Sequence, residues 1–282
     1  MNITSPTYEY VVGDPVPVAQ TPAYRLYLCT QIGTGRECLL QIAVDAVGNG
    51  VLDRMAFMLR ELRVKAEELE TEFEPHRRRP ESRLNYHYGF PEVVDSFIFD
   101  EQGGRRVNIL AFPCLEVVTP VLGVNTLVPL SNIVRKDGRR VDLKTSPWVL
   151  GKALKLLAFA HSNGVAMGGL DLTKILIQPD EHFVIFFDWS DARFHPEGVP
   201  VEVQRKEVMD IARVVIALLG GDAATRSFPD EGIDGAELYI QLLLQLAAGG
   251  QSSAFRAHKE FYPLLRERLG WKGFHPFATF PR

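Results

Sequence analysis

The sequence predicts an α+β fold: a β-rich first half, then a mainly helical second half. Three observations carry this. Strand-like runs crowd residues 8–112 and are interrupted by one long stretch of helical periodicity. Beyond residue 146 the strand patterns shrink to two short runs and helical patterns dominate. The change falls in a turn-rich stretch between Pro113 and Lys144.

Taken in order, residues 8–12 (YEYVV) read as a strand. Residues 13–22 (GDPVPVAQTP) hold three prolines, which break both helix and ladder. Tyr24 to Thr30 and Cys38 to Val44 read as a hairpin around the Gly33-Thr34-Gly35 turn, with no ligand implied. Residues 51–73 predict a long helix, because Met55, Leu59, Leu62, Ala66, Leu69 and Phe73 recur at three or four. A basic loop, 75–83, holds Arg77, Arg78 and Arg79, a solvated charge run. Strands follow at 92–99 and 105–112. A short helix fits Leu130 to Arg135. Residues 146–162 predict a buried helix, apolar on nearly all sides, with Ser146 as N-cap and Pro147 in the first turn. Strands at Ile175–Gln178 and Phe183–Phe187 precede helices at 203–219, 235–248 and 253–269. The tail carries Trp271, Phe274, Phe277 and Phe280. Four exposed aromatics would form a costly patch, so a tail docked on its own domain is expected.

Bulk properties exclude several classes. The chain has 282 residues, 46% hydrophobic and 23% charged, enough for one large domain or two coupled lobes. A net charge of -4 gives no footprint for nucleic acid, and none is expected as a partner. Cys29, Cys38 and Cys114 are widely spaced, with no CxxC, so no zinc site is expected and a reducing compartment fits. The start, MNITSPTYEY, lacks the pattern of a signal peptide, and no apolar run approaches the roughly 20 residues of a membrane helix. A cytoplasmic protein with no membrane partner is the expectation.

Residues 154–194 (LKLLAFAHSNGVAMGGLDLTKILIQPDEHFVIFFDWSDARF) resemble the catalytic core of the eukaryotic-type protein kinase superfamily. That family runs from a buried helix ending in His through H-R-D-x-K-x-x-x-N and two short strands to D-F-G. Here the helix ends in Ala160-His161, Met167-Gly168-Gly169 stands for H-R-D, Lys174 for the Asn, and Asp188-Trp189-Ser190 for D-F-G, with no gap needed. Residues 26–43 are similar to the second and third strands, with Gln41 at the lysine position. The segment 106–116 resembles the strand leading into the hinge, and 207–221 the central helix, with Asp210 at its Asp. The likeness spans roughly residues 8–270. It implies a bilobal protein-kinase-like fold: N-lobe 1–112, hinge 113–118, helical C-lobe 119–282.

The resemblance also says which chemistry is missing. Phosphoryl transfer rests on positioning and charge. A glycine-rich loop would map onto the proline-filled 13–22, where prolines offer no N–H. Gln41 is neutral where a lysine would meet phosphates. A helix carboxylate partner would be Glu61 or Glu67, but opposite Gln41 no ion pair forms. Gly169 has no side chain to accept a proton. Lys174 places a cation where a metal ligand belongs. Asp188 alone survives, and it also fits a turn cap. Only about fifteen residues separate it from the helix holding Asp210, with no A-P-E-like sequence, so a peptide-docking loop is absent. That short form and the Asp188-Trp189 pair are similar to small-molecule phosphotransferases of the same superfold. Asp171 reads as a solvated loop acid, His161 as a packed structural histidine, and Asp210 as a structural brace for the loop backbone.

The implied function is a pseudokinase: a catalytically impaired regulatory or scaffolding subunit whose partner is another protein. Candidate contact surfaces are the 51–73 helix with its arginine loop, and the aromatic tail. No cofactor is expected. The alternative is an atypical phosphotransferase or nucleotidyltransferase that binds Mg-ATP through Asp188 with Asp171 or Asp191. A third possibility is a different small ligand held by the kinase-like scaffold.

Overall fold

The structure is a computed structural model that describes residues 2–78, 83–100, 103–112, 127–230, 232–233, 236–271 and 275–281. The chain divides into two compact units, Met1–Leu127 and Val128–Arg282. The expected hinge at 113–118 lies outside the described residues, as do Arg79, Cys114 and Phe274.

The first unit is an antiparallel sheet of seven strands with one long helix. Its elements are β1 (Asn2–Thr4), β2 (Glu9–Val12), β3 (Ala19–Gln20), β4 (Tyr24–Gln31), β5 (Glu37–Ala43), α1 (Ala46–Phe73), β6 (Glu92–Phe99) and β7 (Arg105–Ala111). The order is β1-β2-β4-β5-β7-β6, with β3 beside β4. Period-two alternation sends Tyr10, Val12, Cys38, Leu40, Ile42, Val107 and Ile109 into one core. The opposite face carries Gln41 and its cross-strand neighbour Asn108, whose amide donates to Leu52 O of α1 at 2.9 Å.

Two expectations need correction here. Between its prolines the 13–22 stretch forms β3, with Ala19 opposite Leu26. The helix begins at Ala46 rather than 51. Asp45 caps it by accepting from Gly48 N at 2.8 Å. Gly48 and Gly50 lower helix propensity and hide that start. Gly48 is needed there, because a Cβ would sit 2.3 Å from Ala23 O.

The second unit is mainly helical. It comprises β8 (Val128–Pro129), α2 (Leu130–Arg135), β9 (Arg139–Val141), α3 (Ser146–Ser162), β10 (Val165–Ala166), β11 (Ile175–Gln178), β12 (Phe183–Phe186), β13 (Arg193–Phe194), α4 (Val201–Leu218), α5 (Ala236–Ala247), α6 (Ala254–Pro263) and β14 (Thr279–Pro281). Helix α3 is buried over most of its surface, including Val149, Leu150, Leu154 and Leu157, and packs against α4 and α6. Each such side chain contributes about 1.5–3 kcal/mol of burial. Its N-cap is Thr145, not Ser146. Asp142 accepts from Thr145 N at 2.6 Å, while Ser146 turns inward to Leu143 O and the Tyr239 hydroxyl. The last helix is shorter than 253–269, since after Pro263 the chain widens into a π-helical turn, Leu264–Arg268.

The described tail docks on this unit. β14 pairs with β9, and Arg140 lies over the Phe280 ring at 5.4 Å. Trp271 meets Tyr239 edge-on, and Phe277 meets Trp148.

Candidate functional site

In the second unit, α3 ends at Ser162 and the chain turns through Gly164 into β10. The next stretch, 167–174, leads into β11, which returns as β12. β13 then closes on β10, with Val165 opposite Phe194. These short pairings bring Met167-Gly168-Gly169, Lys174 and Asp188 to neighbouring strand ends. Phe187 N donates to Lys174 O at 2.9 Å, which ties Asp188's predecessor directly to Lys174.

A buried carboxylate that sequence reasoning missed braces the loop. Glu207 of α4 is 1% exposed. Its Oε1 accepts from Gly168 N at 2.7 Å, and its Oε2 lies 2.7 Å from His161 Nε2. One side chain thus ties α3, α4 and the loop together. Asp210, one turn on, accepts from Leu170 N at the longer distance of 3.4 Å and pairs with Lys206 at 2.7 Å. The available signal was a glutamate on the apolar face of α4, among Val208, Ile211 and Val215.

Gly168 has φ 82°, and a Cβ there would lie 2.2 Å from Asp191 O. Backbone meets backbone at that point, so only glycine fits. Gly169 has φ 114° and presents no side chain. Among the described residues, a Cβ there would come nearest Lys206 Nζ, at 3.6 Å.

The remaining polar groups are engaged with one another. Lys174 Nζ lies 2.6 Å from Asp191 Oδ2, and the lysine side chain is largely covered. Asp188 is buried, and its Oδ1 accepts from Ser190 N at 3.0 Å. Trp189 is buried and donates to Phe186 O at 2.7 Å. Asp171 is exposed and accepts from both the amide and the hydroxyl of Thr173. Partial burial opposes its charge, yet the Thr173 bonds and the nearby Lys174 hold it below the usual carboxylate range.

In the first unit, Gln41 is 0% exposed, and neither end of its amide finds a hydrogen-bond partner among the described residues. Glu61 and Glu67 lie on the exposed face of α1, and Glu67 pairs with Arg63 at 3.0 Å. The arginine loop is not wholly a solvated run. Arg77 is mostly covered and bonds Glu70 at 2.8 Å, while Glu70 also accepts from Leu84 N and Asn85 N.

Near Asp188 stands the Lys174 ammonium, which supplies no oxygen ligand to a cation. Among the described residues no three of His, Cys, Asp and Glu converge as a metal would require. No described helix is long and apolar enough to cross a membrane.

No family model and no curated protein matches the chain. Among solved structures it is similar to vaccinia related kinase 3, with a TM-score of 0.62 and 12% identity, over 95% of this chain and 90% of that one. At that identity the likeness speaks of fold alone. With the strand order of the first unit and the helical second unit, it establishes that this chain has the protein-kinase-like fold.

Proposed function

We propose that this chain is a pseudokinase: a kinase-like module that does not transfer phosphoryl groups and acts by binding another protein. The observation that carries the reading is the ion pair of Lys174 and Asp191 beside Asp188. It puts an ammonium where the second metal ligand of a kinase would stand, and it engages one of the acids that could substitute. Gly169 supplies no carboxylate, and Gln41 supplies no charge. Three separate parts of the phosphoryl-transfer machinery are therefore altered in ways that each oppose the reaction.

The alternative, an atypical phosphotransferase built on Asp188 with Asp171 or Asp191, has less support. Asp171 is turned onto Thr173, and Asp191 onto Lys174. As the partner surface we favour the exposed face of α1, which presents Phe57 and Val64 among charged residues.

Thermal melting with millimolar Mg-ATP tests this reading. A ligand that binds only the folded state must raise the melting temperature by mass action. The expected result is an unchanged transition. A metal-dependent rise that disappears in Asp188→Ala would favour the enzyme instead.

A further inference from the structure

On the second unit, away from the loop described above in sequence, a cavity of about 540 Å³ opens where the start of α3, the β11–β12 turn and the end of α6 come together. That volume lies within the range of small-molecule sites. Its walls are aromatic. Trp148 stacks on His182 with ring centroids 4.6 Å apart and planes at 10°, and Trp271 and Tyr262 also line the cavity. His182 is held at φ 55°, a left-handed conformation that few non-glycine residues adopt. The turn thus spends a sparsely used backbone state at the residue whose ring faces Trp148.

Among the described lining residues the permanent charges are cationic, and His275, also on the wall, lies 3.4 Å from the Asp142 carboxylate. Lys144 and Arg266 line the cavity, with Arg266 over the Tyr262 ring at 5.8 Å. One turn along α3 from Trp148, Lys152 is only partly exposed and has no ion-pair partner among the described residues. Burial pulls its ammonium below the ordinary lysine value, and its charge, after burial, helps to lower His182. No carboxylate lines the cavity among the described residues. The Trp148 indole N–H also lacks a partner among them. Cations with no ion-pair partner among the described residues, set beside flat aromatic faces, are suited to an anion with an aromatic body.

We propose that this cavity binds a small aromatic anion, its ring against the Trp148–His182 pair and its anionic group toward Lys144 and Arg266. The inference does not depend on whether the protein is a pseudokinase.

Phenyl phosphate is the probe, titrated into the full chain and followed by tryptophan fluorescence and calorimetry. Inorganic phosphate and benzyl alcohol separate the two halves of the chemistry. Saturable binding of phenyl phosphate is expected, with either half binding at least about tenfold more weakly. The Lys144→Gln/Arg266→Gln double variant changes only exposed side chains, so its melting temperature should hold while affinity falls by about tenfold or more. Asp188→Asn should bind as the parent does. No saturable binding at millimolar phenyl phosphate, or equal affinity in the folded double variant, would overturn the proposal.

Discussion

Glu207 shows how much one side chain can decide. Its two oxygens serve His161 on α3 and the Gly168 amide on the loop, and the Glu207 side chain itself is closed to water. Glu207→Ala removes both bonds and strands the buried His161 ring nitrogen. A loss of about 2–4 kcal/mol is expected in urea unfolding. A loss under about half a kcal/mol, typical of a surface change, would contradict the bracing role.

Titration at the residue scale sets a second expectation. Burial, before any charged neighbour, pulls His87, His182 and His258 below the ordinary 6.5. Burial pushes the Cys29 and Cys38 thiols up from 9.0 to about 12 and about 11. In the unfolded chain the histidines protonate as pH falls through 6.5, while the folded chain resists, so stability declines on the acid side. Above pH 9.0 the unfolded thiols ionise first, so stability declines there too. Melting temperature against pH should plateau between these limits. A maximum below pH 6 would contradict the histidine environments.

At the scale of elements, α1 separates propensity from packing. Replacing a helical glycine by alanine ordinarily stabilises, by roughly 0.5–1 kcal/mol. At Gly48 the sign should reverse, because the new methyl would meet Ala23 O. Gly48→Ala is expected to unfold at lower denaturant, whereas Gly50→Ala, with open space around it, should be neutral or stabilising. Equal gains at both positions would sink this reading of the contact.

The same element shows where sequence reasoning stops. The run from Met55 to Phe73 announces a helix by its period. The first turn, with two glycines and an asparagine, is held by Asp45 and by packing on Ala23, and neither contact is visible in local pattern. β3 was hidden for a related reason, since its pairing with β4 is non-local. Helix α3, buried on most sides and closed by Asn163-Gly164, was readable almost to the residue, because its composition and its stop signal agree. The Glu207 brace was obscured because a glutamate on a helix face reads as solvated until the neighbouring chains are known.

At the scale of the whole molecule, the chain keeps a protein-kinase-like fold, and our proposal is that it keeps that fold without the phosphoryl-transfer chemistry. A kinase-like framework needs a curled sheet with one helix, a buried α3 and a loop braced by α4. These depend on apolar pattern and on a few buried polar contacts. Phosphoryl transfer needs charges at particular points, and under the proposed reading those points hold Gln41, Gly169 and Lys174. The two requirements draw on different residues, so the second can be lost while the first persists. That separation is why fold could be read from motif spacing at only 12% identity to a solved kinase, while the partner could not.

The most direct test of the central claim is transfer or release of the labelled γ-phosphate from Mg-ATP, with the full chain and with Asp188→Asn in parallel. The account predicts that both give the same background as buffer, over incubations long enough to detect a very slow enzyme. Turnover by the parent chain that Asp188→Asn abolishes would contradict it.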